Sequence, residues 1–363
     1  MKSLLYIIFL TIAFISCSHS GNSSNTTKNE ISKDTTPYTS VDNSGAKIAP
    51  NEAKEPKFPL IYDKSKPLLR GSYGEFGSYD VGYEDIVNHR YSGRLITRFY
   101  YPKGINKKAP LVLFFSGWGI NNPDSYKAIL YFIVSKGVNV AFVTCPDSDV
   151  KQIPSTIRED ILERYKDKID RSLVGFVGHS SGASYTFWIA REFKDELGDK
   201  GRFIYTLASD YTIFYEDYYI PAKKIIELPL NTNLIIQMYS NDMTTDLRIG
   251  ADLFYNNSLP LDKKDFMFVF GLSHDGCMGK NGYDFDANMQ RSIFRPLDAL
   301  IDKTFNNNQN AIVELKKEIK DDPYYHPYIG KDIPKSYIKD SSLYDFSCSQ
   351  SHVRDKWCKE NGF

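Results

Sequence analysis

The chain has 363 residues, 42% of them hydrophobic, and its 45 basic side chains equal its 45 acidic ones. That length suffices for one large domain or two small ones. The balanced charge, spread along the chain rather than gathered in blocks, excludes the basic footprint of a nucleic-acid-binding protein.

The first residues, MKSLLYIIFLTIAFISC, hold one lysine, Lys2, and then an uncharged run over 4–15. As a helix that run is ~18 Å long against a bilayer core of ~30 Å, so it reads as an export signal rather than a span. Its end, Phe14-Ile15-Ser16-Cys17, resembles a bacterial lipoprotein signal, with Phe14 where leucine is usual. The resemblance implies a signal peptide over 1–17 and lipidation of Cys17. It also implies a lipid anchor in the bacterial cell envelope, at the outer membrane, because Ser18 and not aspartate follows. The other cysteines, Cys145, Cys277, Cys348 and Cys358, are even in number, which permits two disulfides in an exported chain. Cys348 and Cys358 bracket a short loop and are the easiest pair; free buried thiols are the alternative for the other two. Residues 18–70 begin with tracts such as GNSSNTTKNEISKDTTPYTS, which hold too little apolar surface to offset the entropy of ordering. They read as a flexible tether.

From about residue 71 the texture changes. YEDIVNHRY and RLITRFYYP read as two β segments, and PLVLFFSG as a strand buried on both faces. SYKAILYFIVSKG has helical spacing and closes on Gly137. VNVAFVTCP is a second buried strand, and IPSTIREDILERYKDKI an amphipathic helix starting at Ser155. The strand LVGFVGHS, a helix from Ser181, and the strands FIYTLAS and NLIIQMYS come next. A helix over 247–255, the strand DFMFVFGLS and a helix over 291–305 complete the pattern. Buried strands alternating with helices predict an α/β fold: a doubly wound, mostly parallel sheet of about eight strands with helices on both faces. The domain spans 71–307. In the extension 308–363, IVELKKEIKDD suits a helix, and the segment rich in proline and tyrosine after it reads as wrapping the surface.

Within LVGFVGHSSGASYTFW, Ser180 stands between Gly178 and Gly182 where a strand gives way to a helix. A Gly-x-Ser-x-Gly turn in that setting is a nucleophile elbow. Bulk at either glycine would collide with the neighbouring strand or helix. The serine is held in a strained conformation with its oxygen exposed, at the carboxyl end of a strand, where α/β sheets bind ligands. A serine nucleophile needs a base, and the base an orienting acid. Of the six histidines, His19 is in the tether, His89 in an early strand, and His326 and His352 in the tail. His179 is inside the elbow, with its side chain pointing away from the nucleophile's side. His274, just past the last strand in FVFGLSHDGCM, is the base by position and elimination. Asp242, just past the preceding strand in NLIIQMYSNDMTTD, is the favoured acid, with Asp246 and Asp210 as alternatives. The developing oxyanion needs donors: the backbone N–H of Ser181, after the nucleophile, and that of Trp118 in the Gly117-Trp118-Gly119 loop. The Trp118 indole either walls an acyl pocket or packs under the rim.

With these residues placed, the chain over 71–305 resembles the α/β-hydrolase superfamily. Within it the likeness is to the dienelactone-hydrolase, cutinase and polyester-hydrolase branch, with platelet-activating-factor acetylhydrolases as relatives. GSYDVGYEDIV, RFYYPKG, FFSGWG, GHSSG, LIIQMYSND and GLSHDG carry it. The resemblance implies the α/β-hydrolase fold, a triad of Ser180, Asp242 and His274, and an oxyanion donor at the glycine-aromatic pair Gly117-Trp118. No cofactor and no metal are expected. Ser181 stands where polyester hydrolases carry methionine, which loosens the fit to that branch.

The segment over 210–229 places five aromatic residues among the nine from 211 to 219. It reads either as a cap lining an acyl site or as a helix packing on the body. No arginine or lysine is obviously placed to select a charged acid, so the expected substrate is an apolar or aromatic ester, small or polymeric. The expected function is that of an exported serine esterase working through an acyl-enzyme. A serine peptidase or acyltransferase on the same fold, and a non-catalytic binding lipoprotein, are the alternatives.

Overall fold

The computed structural model of the protein describes residues 67–88, 95–144, 150–210, 225–245, 247–278 and 286–333. The expectations for the signal, for Cys17, and for the tether up to residue 66 lie outside them. So do those for Asp246, for the aromatic segment over 211–224, and for the tail beyond 333.

Among the described residues, nine strands form one mostly parallel sheet in the order β1-β2-β4-β3-β5-β6-β7-β8-β9. In chain order they are β1 (Val81–Asn88), β2 (Leu95–Pro102), β3 (Ala109–Phe115), β4 (Asn139–Val143), β5 (Ile169–His179), β6 (Gly201–Leu207), β7 (Thr232–Asn241), β8 (Lys264–Ser273) and β9 (Tyr328–Gly330). The six central strands, from β4 to β8, run parallel. β1 and β2 are antiparallel at one edge and β9 is antiparallel at the other. The central strands are the apolar runs of the sequence, buried on both faces as parallel strands must be. The ninth strand departs from the expected eight. It lies in the segment read as wrapping the surface, and it pairs Tyr328 with Phe268 and Gly330 with Phe266.

The helices are α1 (Lys127–Ser135), α2 (Ile153–Ser155), α3 (Ser181–Glu192), α4 (Leu247–Tyr255), α5 (Ala287–Met289), α6 (Arg295–Phe305) and α7 (Ala311–Asp321). α2 begins two residues before the expected Ser155, with Pro154 tolerated in its first turn, and runs on as a π-helical stretch Thr156–Glu163. A second π-helical stretch, Gln290–Phe294, joins α5 to α6. Strand alternation divides the core in two. Leu111, Leu113 and Phe115 of β3 pack with Ile157, Ile161, Phe187 of α3 and Phe254 of α4 on one face. Val112 and Phe114 pack with Phe132 of α1, Leu297 of α6 and Leu315 of α7 on the other. Helices therefore cover both faces of the sheet. Among the described residues no helix is long and apolar enough to cross a membrane.

The body reaches past the boundaries drawn from sequence. At its start, Leu68 packs on the core, the Leu69 N–H donates to Gln290 Oε1 at 2.6 Å, and Arg291 Nη1 donates to the Pro67 carbonyl at 2.7 Å. At its end, Asp322, at the end of α7, takes a buried hydrogen bond from Arg291 Nε at 2.8 Å and another from Arg295 Nη2 at 2.6 Å.

Candidate functional site

β3 and β5 are parallel neighbours, yet the helices that follow them, α1 and α3, pack on opposite faces. This is a switch point, the place at the strands' carboxyl ends where sheets of this kind bind ligands. Gly117, just past β3, and Ser180, just past β5, flank it. A Cβ built on Gly117 would lie 3.3 Å from the Cβ of Ser180.

The turn is strained as its sequence predicts, but Ser180 is buried, 6% exposed, where an exposed oxygen was expected. Ser180 has φ 55° and ψ −125° between β5 and α3, a conformation costing on the order of 1–3 kcal/mol. Hydrogen bonds hold it: the Ser180 N–H donates to the Leu207 carbonyl at 2.9 Å. Its own carbonyl accepts from Ala183 N at 3.0 Å and Asp210 N at 3.2 Å. The flanking glycines are steric necessities. A Cβ at Gly178 would come within 2.3 Å of the Gly182 carbonyl oxygen, and one at Gly182 within 2.3 Å of the Ser116 carbonyl oxygen. Ser181 opens α3, so its amide lies in the first turn, where N–H groups have no intrahelical acceptor.

Asp242 and His274 meet because of a register shift. β7 and β8 run in step to Tyr239 and Val269, and the next partners are Asn241 and Ser273. β8 thus carries the longer loop. Its Gly271 sits at φ 80° and its N–H donates to Ser240 Oγ at 2.7 Å. The residues following the last pair, Asp242 and His274, come side by side. His274 Nδ1 is 2.9 Å from Asp242 Oδ2. The carboxylate is fully buried, and its Oδ1 accepts from the amides of Thr244 at 2.7 Å and Thr245 at 2.9 Å. The Thr245 hydroxyl donates to Oδ2. Burial pushes the Asp242 pKa up, but the His274 hydrogen bond and charge and the Thr245 donors outweigh it, and the carboxyl stays below its ordinary value. Burial pushes the His274 pKa down, and Asp242, helped by the charges of Asp275 and Asp210, more than reverses it. Ser180 Oγ makes no hydrogen bond to the His274 ring.

His179 is not a bystander in the elbow. Its ring lies 4.8 Å from that of His274, centroid to centroid. Its Nε2 is 2.9 Å from the His274 carbonyl oxygen and its Nδ1 is 2.8 Å from Tyr126 Oη, which also accepts from the Gly117 N–H at 2.9 Å. Full burial, with the charge of His274 nearby, lowers the His179 pKa to about 3. Ligand atoms of His179, His274 and Asp275 lie within 4.8 Å of one another. Both His179 nitrogens and His274 Nδ1 are committed elsewhere, however, and the remainder is too few for a zinc centre.

Of the other expected residues, Trp118 follows Gly117 with its side chain exposed, so the indole does not pack under the rim. His326 is exposed on the tail, and His19, His89 and His352 lie outside the described residues. Cys277 is a buried free thiol, raised well above its ordinary pKa by burial. For Cys277 this is the free-thiol alternative; Cys145, Cys348 and Cys358 lie outside the described residues. Sequence reasoning missed Tyr126, and it set His179 aside. The only signal for His179 is strand alternation, which puts it on the same sheet face as Val177 and the helix α1. No protein-family model and no curated protein sequence matches the chain.

Proposed function

We propose that the protein is a serine hydrolase of the α/β-hydrolase fold that cleaves carboxylic esters through an acyl-enzyme. One observation carries this reading. At the carboxyl ends of parallel strands, a serine in a strained strand-to-helix turn follows His179, whose ring lies 4.8 Å from the His274 imidazole, and the Nδ1 of that imidazole is 2.9 Å from a buried carboxylate. Ser180 Oγ attacks the ester carbonyl as His274 Nε2 takes its proton. Asp242 keeps the Nδ1–H tautomer and stabilises the imidazolium. The backbone N–H groups of Ser181 and Trp118 receive the oxyanion. His274 returns the proton to the departing alcohol, and water then releases the acyl group by the same steps. Export and lipidation at Cys17 belong to the proposal and rest on the sequence of residues 1–17.

The test is hydrolysis of nitrophenyl esters from short to long acyl chains by the full chain, beside Ser180→Ala. We expect turnover that falls by about 10⁴-fold or more in the variant, and labelling of Ser180 by a fluorophosphonate. Absence of both turnover and labelling in the wild type would refute the reading.

A further inference from the structure

We infer that Tyr126 and His179 form a buried relay that ties the Gly117 amide to the His274 carbonyl, and so positions the oxyanion loop and the base loop around Ser180. The inference rests on the reading above and adds two positioning residues to it.

Chemistry fixes the direction of each bond. A carbonyl only accepts, so His179 Nε2 carries the proton that reaches the His274 oxygen at 2.9 Å. In the neutral ring Nδ1 is then a bare acceptor. The Tyr126 hydroxyl donates to it across 2.8 Å, and the same oxygen accepts the Gly117 N–H at 2.9 Å. Gly117, Tyr126 and His179 are all buried, so water does not compete for the two bonds of the Tyr126 hydroxyl. A second proton on the ring would set N–H against the hydroxyl and break the sequence. Burial, which lowers the ring's pKa, prevents that.

Two consequences follow at the site. The His274 ring is held at Nδ1 by Asp242, and its backbone is held by His179. The imidazole is therefore gripped from two sides, and the second grip comes from the residue covalently bound to Ser180. Movement of the elbow and of the base loop is coupled as a result. On the other side, the Gly117 N–H is spent on Tyr126, which sets the orientation of the next peptide, the one bearing the Trp118 amide. Gly117 itself must stay small: a Cβ there would come 3.1 Å from His179 Nδ1.

The relay is tested with Tyr126→Phe, His179→Phe and His179→Gln in the full chain, the last retaining an acceptor and a donor at similar spacing. Both phenylalanine variants are expected to lose about 10- to 100-fold in kcat, the scale of a small misplacement of catalytic groups, with KM unchanged. The glutamine variant is expected to recover most of that loss. A His179→Phe enzyme with wild-type kcat, beside an inactive Ser180→Ala, would overturn the relay and leave the hydrolase reading standing. Tyr126→Phe loses one hydroxyl and no ring, so it keeps the comparison open if His179→Phe does not fold. Nitrogen-15 spectra of the wild type at neutral pH supply a readout independent of turnover. Protonation of His179 at Nε2 with a bare Nδ1 supports the relay, and protonation at Nδ1 overturns it even if the chain hydrolyses no ester.

Discussion

His274 shows how one residue's surroundings set the pH behaviour of the site. Burial alone would keep the imidazole neutral at lower pH, but Asp242 at 2.9 Å outweighs it and holds the pKa above the ordinary 6.5. A general base acts when unprotonated. Activity should therefore fall as the pH drops through the raised value, and the acid limb of kcat/KM should lie above pH 6.5. Asp242→Asn removes the cause. The limb should move down and kcat should fall by about 10⁴-fold, whereas Asp246→Asn should do neither. A limb unmoved by Asp242→Asn, in a pH–rate profile of the two variants, would assign the acid elsewhere. Ser180, Asp242 and His274 are legible in sequence because each stands just past an apolar run, and apolar runs are where strands end up. Tyr126 is not legible: it is one of 26 tyrosines, and its part depends on a histidine 53 positions away that only folding brings near.

The elements are legible to different depths, for physical reasons. α1 and α3 follow the helical period, so their apolar faces announce them. Thr156–Glu163 also reads as part of an amphipathic helix, but its π-helical winding, like that of Gln290–Phe294, does not show, because a wider turn leaves no distinctive apolar spacing over so few residues. The register shift between β7 and β8 was hidden too, although Gly271 in FVFGLSHDG is its mark. The packing of α3 against the end of β3 yields a prediction at this scale. Gly182→Ala would drive a methyl group into the Ser116 carbonyl, 2.3 Å away, and backbone on both sides leaves it nowhere to turn. The variant should lose about 1–3 kcal/mol or more of stability, read by urea denaturation, with an elbow shifted enough to slow the fluorophosphonate. A variant as stable as wild type would mean that α3 slides freely on the sheet.

Across the whole molecule, the chain's course explains what was hardest to foresee. Residues 67–70 and the helix α7 lie far apart in sequence but meet on the same face, on the helices from Ala287 to Phe305. Neither carries a long apolar run, so the sequence marked both as periphery. β9 is only three residues long, too short for any alternation to be read. Its place gives it a further importance. It covers Phe266, Met267 and Phe268 of the last parallel strand, whose amide and carbonyl groups would otherwise face outward as a ready template for another chain. Proline at Ile329, opposite Met267, cannot complete that pairing. Ile329→Pro should elute from size exclusion as larger species than the wild type, growing with protein concentration, and an unchanged profile would show the edge to be guarded by something else. On this view the short strand β9 keeps copies of the protein apart, a service to solubility separate from anything done at the candidate site.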